Sequence, residues 1–519
     1  MASKSPAERE QWSGQLGFLM SAIGSAIGLG NIWRFPGVAY TNGGGAFLIP
    51  YVVALLTAGI PILLLDYSLG HRFRGSAPAV FRRVKKKFEF LGWFQVGICF
   101  VIGTYYAVVL AWAVSYIWFS LSLAWGSDPQ TFFLADYLSV SDPGFTTAVD
   151  FKVFVPLVIM WVAVLVCLAL GVRRGLEWAN KVAIPALVVM FLVLVVRAVT
   201  LPGAADGLNA LFTPDWAALA DPGVWIAAYG QIFFSLSIAF GIMMTYSSYL
   251  RTRSNLVPTG YVAAFANSSF EILAGIGVFA TLGFMASQQG VGVGDLKGIS
   301  GVILSFVTFP QVISMMPGGA FFGVMFFGSL TLAGFTSLIS VLQVTSAAFQ
   351  EKFGISTVRA TVIIVIIEGI LSVLLFGTTN GLNALDVVDA FNNNVGIVSS
   401  AILTCLFVAV ITRKLPELQA HLNQTSTVKV GWYWRLMVSV VTPIMLVVML
   451  VMSIKDLFVS GYDPDSYPRS FEVTFGWGTI VFLALFTVVF TALRWRTNVG
   501  DFTPVPIDRA QARVKGASS

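Results

Sequence analysis

Apolar runs about as long as a bilayer is thick follow one another along this chain, and they limit its fold more than any other feature. A hydrocarbon core of about 30 Å needs about 20 mostly apolar residues per helix. Such runs fall at roughly 13–38, 43–70, 90–124, 153–171, 177–199, 223–250, 258–286, 318–350, 357–377, 388–412, 433–457 and 472–494. Three of them are long enough to require tilt, kinks or helix beyond the membrane. Of the 519 residues, 57% are hydrophobic and only 11% charged, with a mean hydropathy of +0.82. A water-facing surface on a chain this long needs more charge. Membrane β-barrel strands would alternate over short stretches instead of running apolar. The expected class is an all-α polytopic membrane protein with 12 transmembrane helices. Residues 299–316 are apolar but short, and predict a helical loop outside the membrane.

Charge sets an orientation. With the N-terminus cytoplasmic, 25 of the 31 Lys and Arg fall on the inner side, seven of them in "HRFRGSAPAVFRRVKKK". The positive-inside rule therefore places both termini in the cytoplasm. The net charge of +6 reports this topology and contact with anionic lipid, and no nucleic acid partner is expected. Cys99, Cys167 and Cys405 lie inside apolar runs without metal-ligand spacing and read as core filling. The expected organisation is a cytoplasmic segment 1–12, a core 13–412 in two halves (13–199 and 223–412), two further helices in 433–494, and a cytoplasmic tail 495–519. The tail after Arg496 reads as disordered.

Two spans are interrupted by small residues, the first at "GSAIGLG" (24–30) and the sixth at "SLSIAFG" (235–241). Each opens a half of five helices. Five is odd, so the halves have opposite orientation, and paired breaks in corresponding positions point to a transporter with inverted repeats. Small residues alone equally serve helix packing. An unwound turn frees carbonyls and N–H groups that lipid cannot satisfy. Carbonyls suit a hard cation, whereas N–H groups and half-helix N-termini attract a carboxylate.

The motif "GSAIGLGNIWRFP" followed by "NGGGAFLIPY" resembles the signature of the neurotransmitter:sodium symporters. The likeness continues through "GTYYAVVLAW", "DPGVWIAAYGQIFFSLSIAFG", "AAFANSSFEILAG", "LTLAGFTSLISVLQ" and "LDVVDAF", over roughly residues 9–495. It implies the leucine-transporter-type fold, two sodium sites and no organic cofactor. For the first sodium it implies the Ala26 carbonyl, Asn31, Ser235 and Asn267, and for the second the carbonyls of Gly24, Ile27 and Ala333 with Thr336 and Ser337. A substrate carboxylate would meet Leu29, Gly30 and Tyr106, and its amino group carbonyls near Ala26, Phe234 and Ser235. The side-chain pocket would be Ser25, Ile102, Tyr106, Phe234, Ser237, Phe240, Ser337 and Val341. Tyr105 reads as a core aromatic. Family members that carry monoamines resemble one another in having Asp where this chain has Gly28. Gly28 therefore favours a substrate with its own carboxylate, an α-amino acid with a hydrophobic side chain.

The resemblance also pairs Arg34 with Asp389 as an outer gate, and implies an inner latch of Arg9, Trp12, Ser248, Tyr249, Gln343 and Glu351. Glu271 falls where chloride-dependent members have Ser, implying chloride-independent transport. Glu368, an intramembrane acid too, reads as helix packing. "GLEWANKVAIP", framed by Gly175 and Pro185, resembles a segment that unwinds to expose the second sodium. The expected function is sodium-coupled amino-acid import in a prokaryotic inner membrane. A proton-coupled carrier of the same fold and a non-transporting substrate sensor remain alternatives. Oligomeric state is open at this level.

Overall fold

A computed structural model describes residues 10–296, 298, 301–500 and 502–507. Among the described residues, ten unbroken helices are long and apolar enough to cross a membrane: Gly45–Phe73, Lys86–Ser120, Phe151–Ala169, Val172–Val199, Leu256–Gln289, Gly319–Phe353, Thr357–Phe376, Gly381–Ile411, Trp432–Val459 and Arg469–Ala492. Span 1 is split into Gln15–Ala26 and Leu29–Thr41, bent by 50° at the break. Span 6 is split into Pro222–Ser235 and Ile242–Ser247. These two broken spans complete the expected twelve, and their breaks stand in corresponding places. The loop expected at 299–316 is helical from Gly301 to Met315.

Local chemistry explains both breaks. In span 1, Ile27 and Gly28 leave the helix for extended backbone. A Cβ on Gly30 would sit 2.1 Å from the Phe234 ring, so only glycine lets the two broken spans touch there. In span 6 the chain reverses hand at Ser237, Ala239 and Gly241, with φ of +52°, +66° and +90°. Ser237 and Ala239 hold a conformation that costs a side-chain-bearing residue about 1–2 kcal/mol. Hydrogen bonds offset it. The Ala239 N–H donates to Asp66 Oδ2 at 3.0 Å, the Ala239 carbonyl accepts from Ser400, and the Phe240 carbonyl accepts from Cys99 at 3.1 Å. The freed groups are thus met from neighbouring helices, as a backbone at membrane depth requires.

Asp66 is fully buried in span 2, and the sequence reading did not single it out. Asp66→Ala should lower the melting temperature in detergent, because it leaves a buried N–H unpaired at a cost of about 1–3 kcal/mol. Asp66→Asn keeps an acceptor and should retain most of the stability. Equal melting of both variants and wild type would show that Asp66 does not hold the break.

The tail corrects an expectation. Over residues 497–500 and 502–507 it is packed as a strap across one end of the bundle, whereas residues 508–519 lie outside the described residues. The Arg496 N–H donates to the Lys352 carbonyl at 2.9 Å and the Val505 N–H to the Arg72 carbonyl at 3.1 Å. Phe502 lies under the Arg83 guanidinium at 4.2 Å. Beside it, Lys352 Nζ pairs with Glu89 at 2.6 Å.

At the same end, His71 Nδ1 and His421 Nε2 meet at 2.8 Å, and His71 Nε2 donates to the Arg251 carbonyl at 2.8 Å. Burial, then His71, Arg72 and Arg74, hold the His421 imidazole well below its ordinary range. The unfolded chain, with an imidazole near about 6.5, then binds more protons than the fold as pH falls. Stability is full above that value and declines below it. The protein should melt lower at pH 5 than at pH 7.5, and His421→Gln should shrink the difference; an unchanged difference would contradict this.

Candidate substrate and ion site

The two breaks border one cavity, of about 50 Å³. All twelve residues expected around a substrate line it: Ser25, Ala26, Leu29, Gly30, Ile102, Tyr106, Phe234, Ser235, Ser237, Phe240, Ser337 and Val341. Five outside that set join them: Gly28, Asn31, Tyr105, Asn393 and Ile397; Asp389, expected in the gate, borders it too. At one end the Leu29 N–H points to the Tyr106 hydroxyl at 3.2 Å. These donors stand at the N-terminus of the second half of span 1, where a carboxylate is favoured.

Asn31, Asn267 and Ser235 form one buried chain. Asn31 Nδ2 donates to Asn267 Oδ1 at 2.8 Å, and Asn267 Nδ2 to Ser235 Oγ at 3.1 Å. Asn31 Oδ1 accepts from the Gly28 N–H at 2.8 Å, which ties the cluster to the break. The set is neutral oxygen on rigid helices, suited to a hard monovalent cation. At the second expected set, the Thr336 hydroxyl donates to the Ala333 carbonyl at 3.0 Å and the Ser337 hydroxyl to the Ser25 carbonyl at 3.3 Å. Each hydroxyl spends its proton on a carbonyl and keeps its lone pairs for an ion. Gly24 packs against Asn180 of span 5, where a Cβ would fall 2.0 Å from Oδ1. The segment expected to unwind is helical, running Glu177–Val199 with Pro185 inside.

One turn from the Asn267–Ser235 pair lies a second pair between the same helices. Gln231 Nε2 donates to Glu271 Oε1 at 2.6 Å. The Tyr51 hydroxyl bonds Glu271 Oε2 and also reaches Ser268 Oγ at 2.9 Å. Glu271 is fully buried. Glu368 is fully buried too, and Gly103 makes room for its carboxyl; neither oxygen has a hydrogen-bond partner among the described residues.

The gates differ from expectation in one respect. Arg34 and Asp389 are not paired. The Arg34 guanidinium lies over the Phe234 ring at 4.7 Å, and Asp389 accepts from the Tyr105 hydroxyl at 2.6 Å. Half-buried Arg34 finds an aromatic face, and the half-buried Asp389 carboxylate a phenol, so each is stabilised without the other. Tyr105 thus contacts the gate acid instead of only filling core. At the opposite end, Trp12 Nε1 donates to the Tyr246 carbonyl at 2.8 Å, and Gln343 Nε2 to the Tyr249 hydroxyl at 2.9 Å. Glu351 accepts from the Ser76 N–H and hydroxyl at 2.9 and 2.8 Å, and the Ser248 hydroxyl turns back to the Thr245 carbonyl. Arg9 lies outside the described residues. The Trp12 side is therefore packed shut while the Arg34–Asp389 pair is apart.

Twelve membrane spans among the described residues, two of them broken opposite each other around one cavity, define a multi-pass membrane transporter. The model of the sodium:neurotransmitter symporter family matches residues 9–133 and 126–498, and the chain belongs to that family. It is similar to an uncharacterized sodium-dependent transporter of Methanocaldococcus jannaschii, 39% identical over 460 residues, covering 88% of this chain and 92% of the relative. It is 33% identical to the sodium- and chloride-dependent GABA transporter 2 of Bos taurus over 379 residues, covering 67% of this chain and 62% of that protein's length. Among solved structures, MhsT in complex with L-phenylalanine superposes with a TM-score of 0.73 at 29% identity, over 86% of this chain and 100% of that one. The chain is a sodium-dependent membrane transporter that takes a small-molecule substrate.

Proposed function

We propose that the protein is a symporter that couples two sodium ions to import of a hydrophobic α-amino acid by alternating access, without needing chloride. The observation that carries this reading is the single cavity on which carboxylate donors and the Asn31–Asn267–Ser235 oxygen cluster converge. A carboxylate set between the Leu29 and Gly30 N–H groups and the Tyr106 hydroxyl replaces their present contact and lends its negative charge to the first sodium. Gly28 keeps that space free of a protein acid. A Cβ there would lie 2.9 Å from the Tyr106 hydroxyl. The second sodium takes the Gly24, Ile27 and Ala333 carbonyls with Thr336 and Ser337. The structure that superposes holds phenylalanine, in keeping with an apolar wall of Ile102, Phe240 and Val341.

Bound substrate and sodium draw Arg34 from Phe234 towards Asp389 and close the outer side. The Trp12–Tyr246 and Gln343–Tyr249 contacts then release, with Arg9, Ser248 and Glu351 as partners in the latch, and the bundle rocks inward. Unwinding between Gly175 and Pro185 lifts Asn180 off Gly24 and exposes the second sodium. Both termini face the cytoplasm of a prokaryotic inner membrane.

The test is ligand-induced stabilisation in detergent. A ligand at a hundred times its dissociation constant stabilises by about 2.7 kcal/mol. A hydrophobic amino acid should raise the melting temperature in sodium and leave it unchanged in potassium. Stabilisation equal in both salts would favour the proton-coupled carrier. None with any amino acid in sodium would overturn the reading.

A further inference from the structure

Span 10 forms a wall of the cavity that motif matching did not reveal. Its turn Asn392–Ile397 is π-helical, a local widening that recurs at functional sites. Asp389, Asn393 and Ile397 all border the cavity from this helix. Asn393 is only 8% exposed; its amide stands beside the Asp389 carboxylate, yet neither its Oδ1 nor its Nδ2 makes a hydrogen bond of full geometry among the described residues. A buried amide left this way is costly unless something else meets it. Most other polar groups on the cavity are committed. Ser237 and Ser337 donate to the Ser25 carbonyl, Tyr105 to Asp389, and Asn31 to Asn267. Among the described residues lining the cavity, only the Ser25 hydroxyl shares this lack. Asn392 shares it too, yet it does not border the cavity.

We propose that Asn393 reads the far end of the substrate side chain, and that the preferred substrate is an amino acid with a large apolar side chain carrying one hydrogen-bonding group, an indole N–H or a phenol O–H. This rests on the amino-acid reading above. Ile102, Phe240, Val341 and Ile397 give the side chain an apolar bed. The amide supplies an acceptor for either N–H or O–H, and a donor for a phenol oxygen. A site built to hydrogen-bond such a group discriminates against the analogue that lacks it, because its own polar atoms are then left unpaired.

Equilibrium binding of phenylalanine, tyrosine, tryptophan and leucine to the purified full chain in sodium tests this, for wild type, Asn393→Leu and Asn393→Ala. Wild type should bind tyrosine or tryptophan at least about tenfold tighter than phenylalanine and leucine. Both variants should lose that preference while binding phenylalanine within about threefold of wild type, which also reports that they fold. The proposal is overturned if wild type shows no such preference, or if the variants weaken all four ligands by a common factor. If none of the four binds wild type in sodium while the protein remains folded, the amino-acid reading itself fails and takes this one with it.

Discussion

Asn267→Leu raises the sodium concentration for half-maximal substrate binding by about two orders of magnitude. Asn267 sits at the centre of the buried chain, accepting from Asn31 and donating to Ser235. Leucine keeps most of the volume and removes both functions. A hydrogen-bonding contact to a charged group contributes about 1.5–3 kcal/mol, which is roughly 10- to 150-fold in affinity. Asn31 Nδ2 is then also left without its acceptor. Substrate affinity should fall with sodium affinity, since linked binding is reciprocal, and high sodium should recover part of it. Sodium titration of substrate binding checks this. An unchanged half-saturation point would remove Asn267 from the ion site.

The second large effect is a change of ion requirement. Glu271 and Gln231 pair one helical turn from Asn267 and Ser235, and residues so spaced lie about 5–6 Å apart. When ionised, the carboxylate places negative charge beside the expected first sodium, and no cation forms an ion pair with it among the described residues. Glu271→Ser removes the charge and vacates space, leaving Tyr51 and Gln231 as donors for an anion. Uptake by the variant should fall more than tenfold in gluconate and recover in chloride, while wild type is indifferent. Glu271→Gln fills the space, so chloride should not rescue it. Equal uptake by the Ser variant in both salts would overturn the assignment.

The membrane class and the span count were legible because apolar runs report lipid directly. Boundaries were less so where a helix continues through polar residues: span 10 begins at Gly381, seven residues before its apolar run, because Asn383 and Asp386 mask it. Asp66 was missed although the rule that picked Glu271 and Glu368 applies equally to a lone acid in "ILLLDYSL". The twelve cavity residues came from motif matching, and helical periodicity would not have separated them from core. Asn393 and Ile397 follow the gate acid Asp389 at i+4 and i+8, so helical spacing alone could have found them; they were missed because the motif "LDVVDAF" ends at Phe391. The Arg34–Asp389 pair was named by motif, but whether two side chains touch depends on conformation. The strap failed on composition: "RWRTNVGDFTPVP" is polar, yet Val499, Phe502 and Val505 give it anchors at regular intervals.

The central claim is sodium-driven accumulation of an amino acid. The direct measurement is uptake of labelled hydrophobic and aromatic amino acids into proteoliposomes holding the purified protein, with an inward sodium gradient and with equal sodium on both sides. At least one should accumulate above its external concentration only with the gradient, in chloride or gluconate alike. Accumulation driven by a pH gradient without sodium, or none of any amino acid tested, would contradict it.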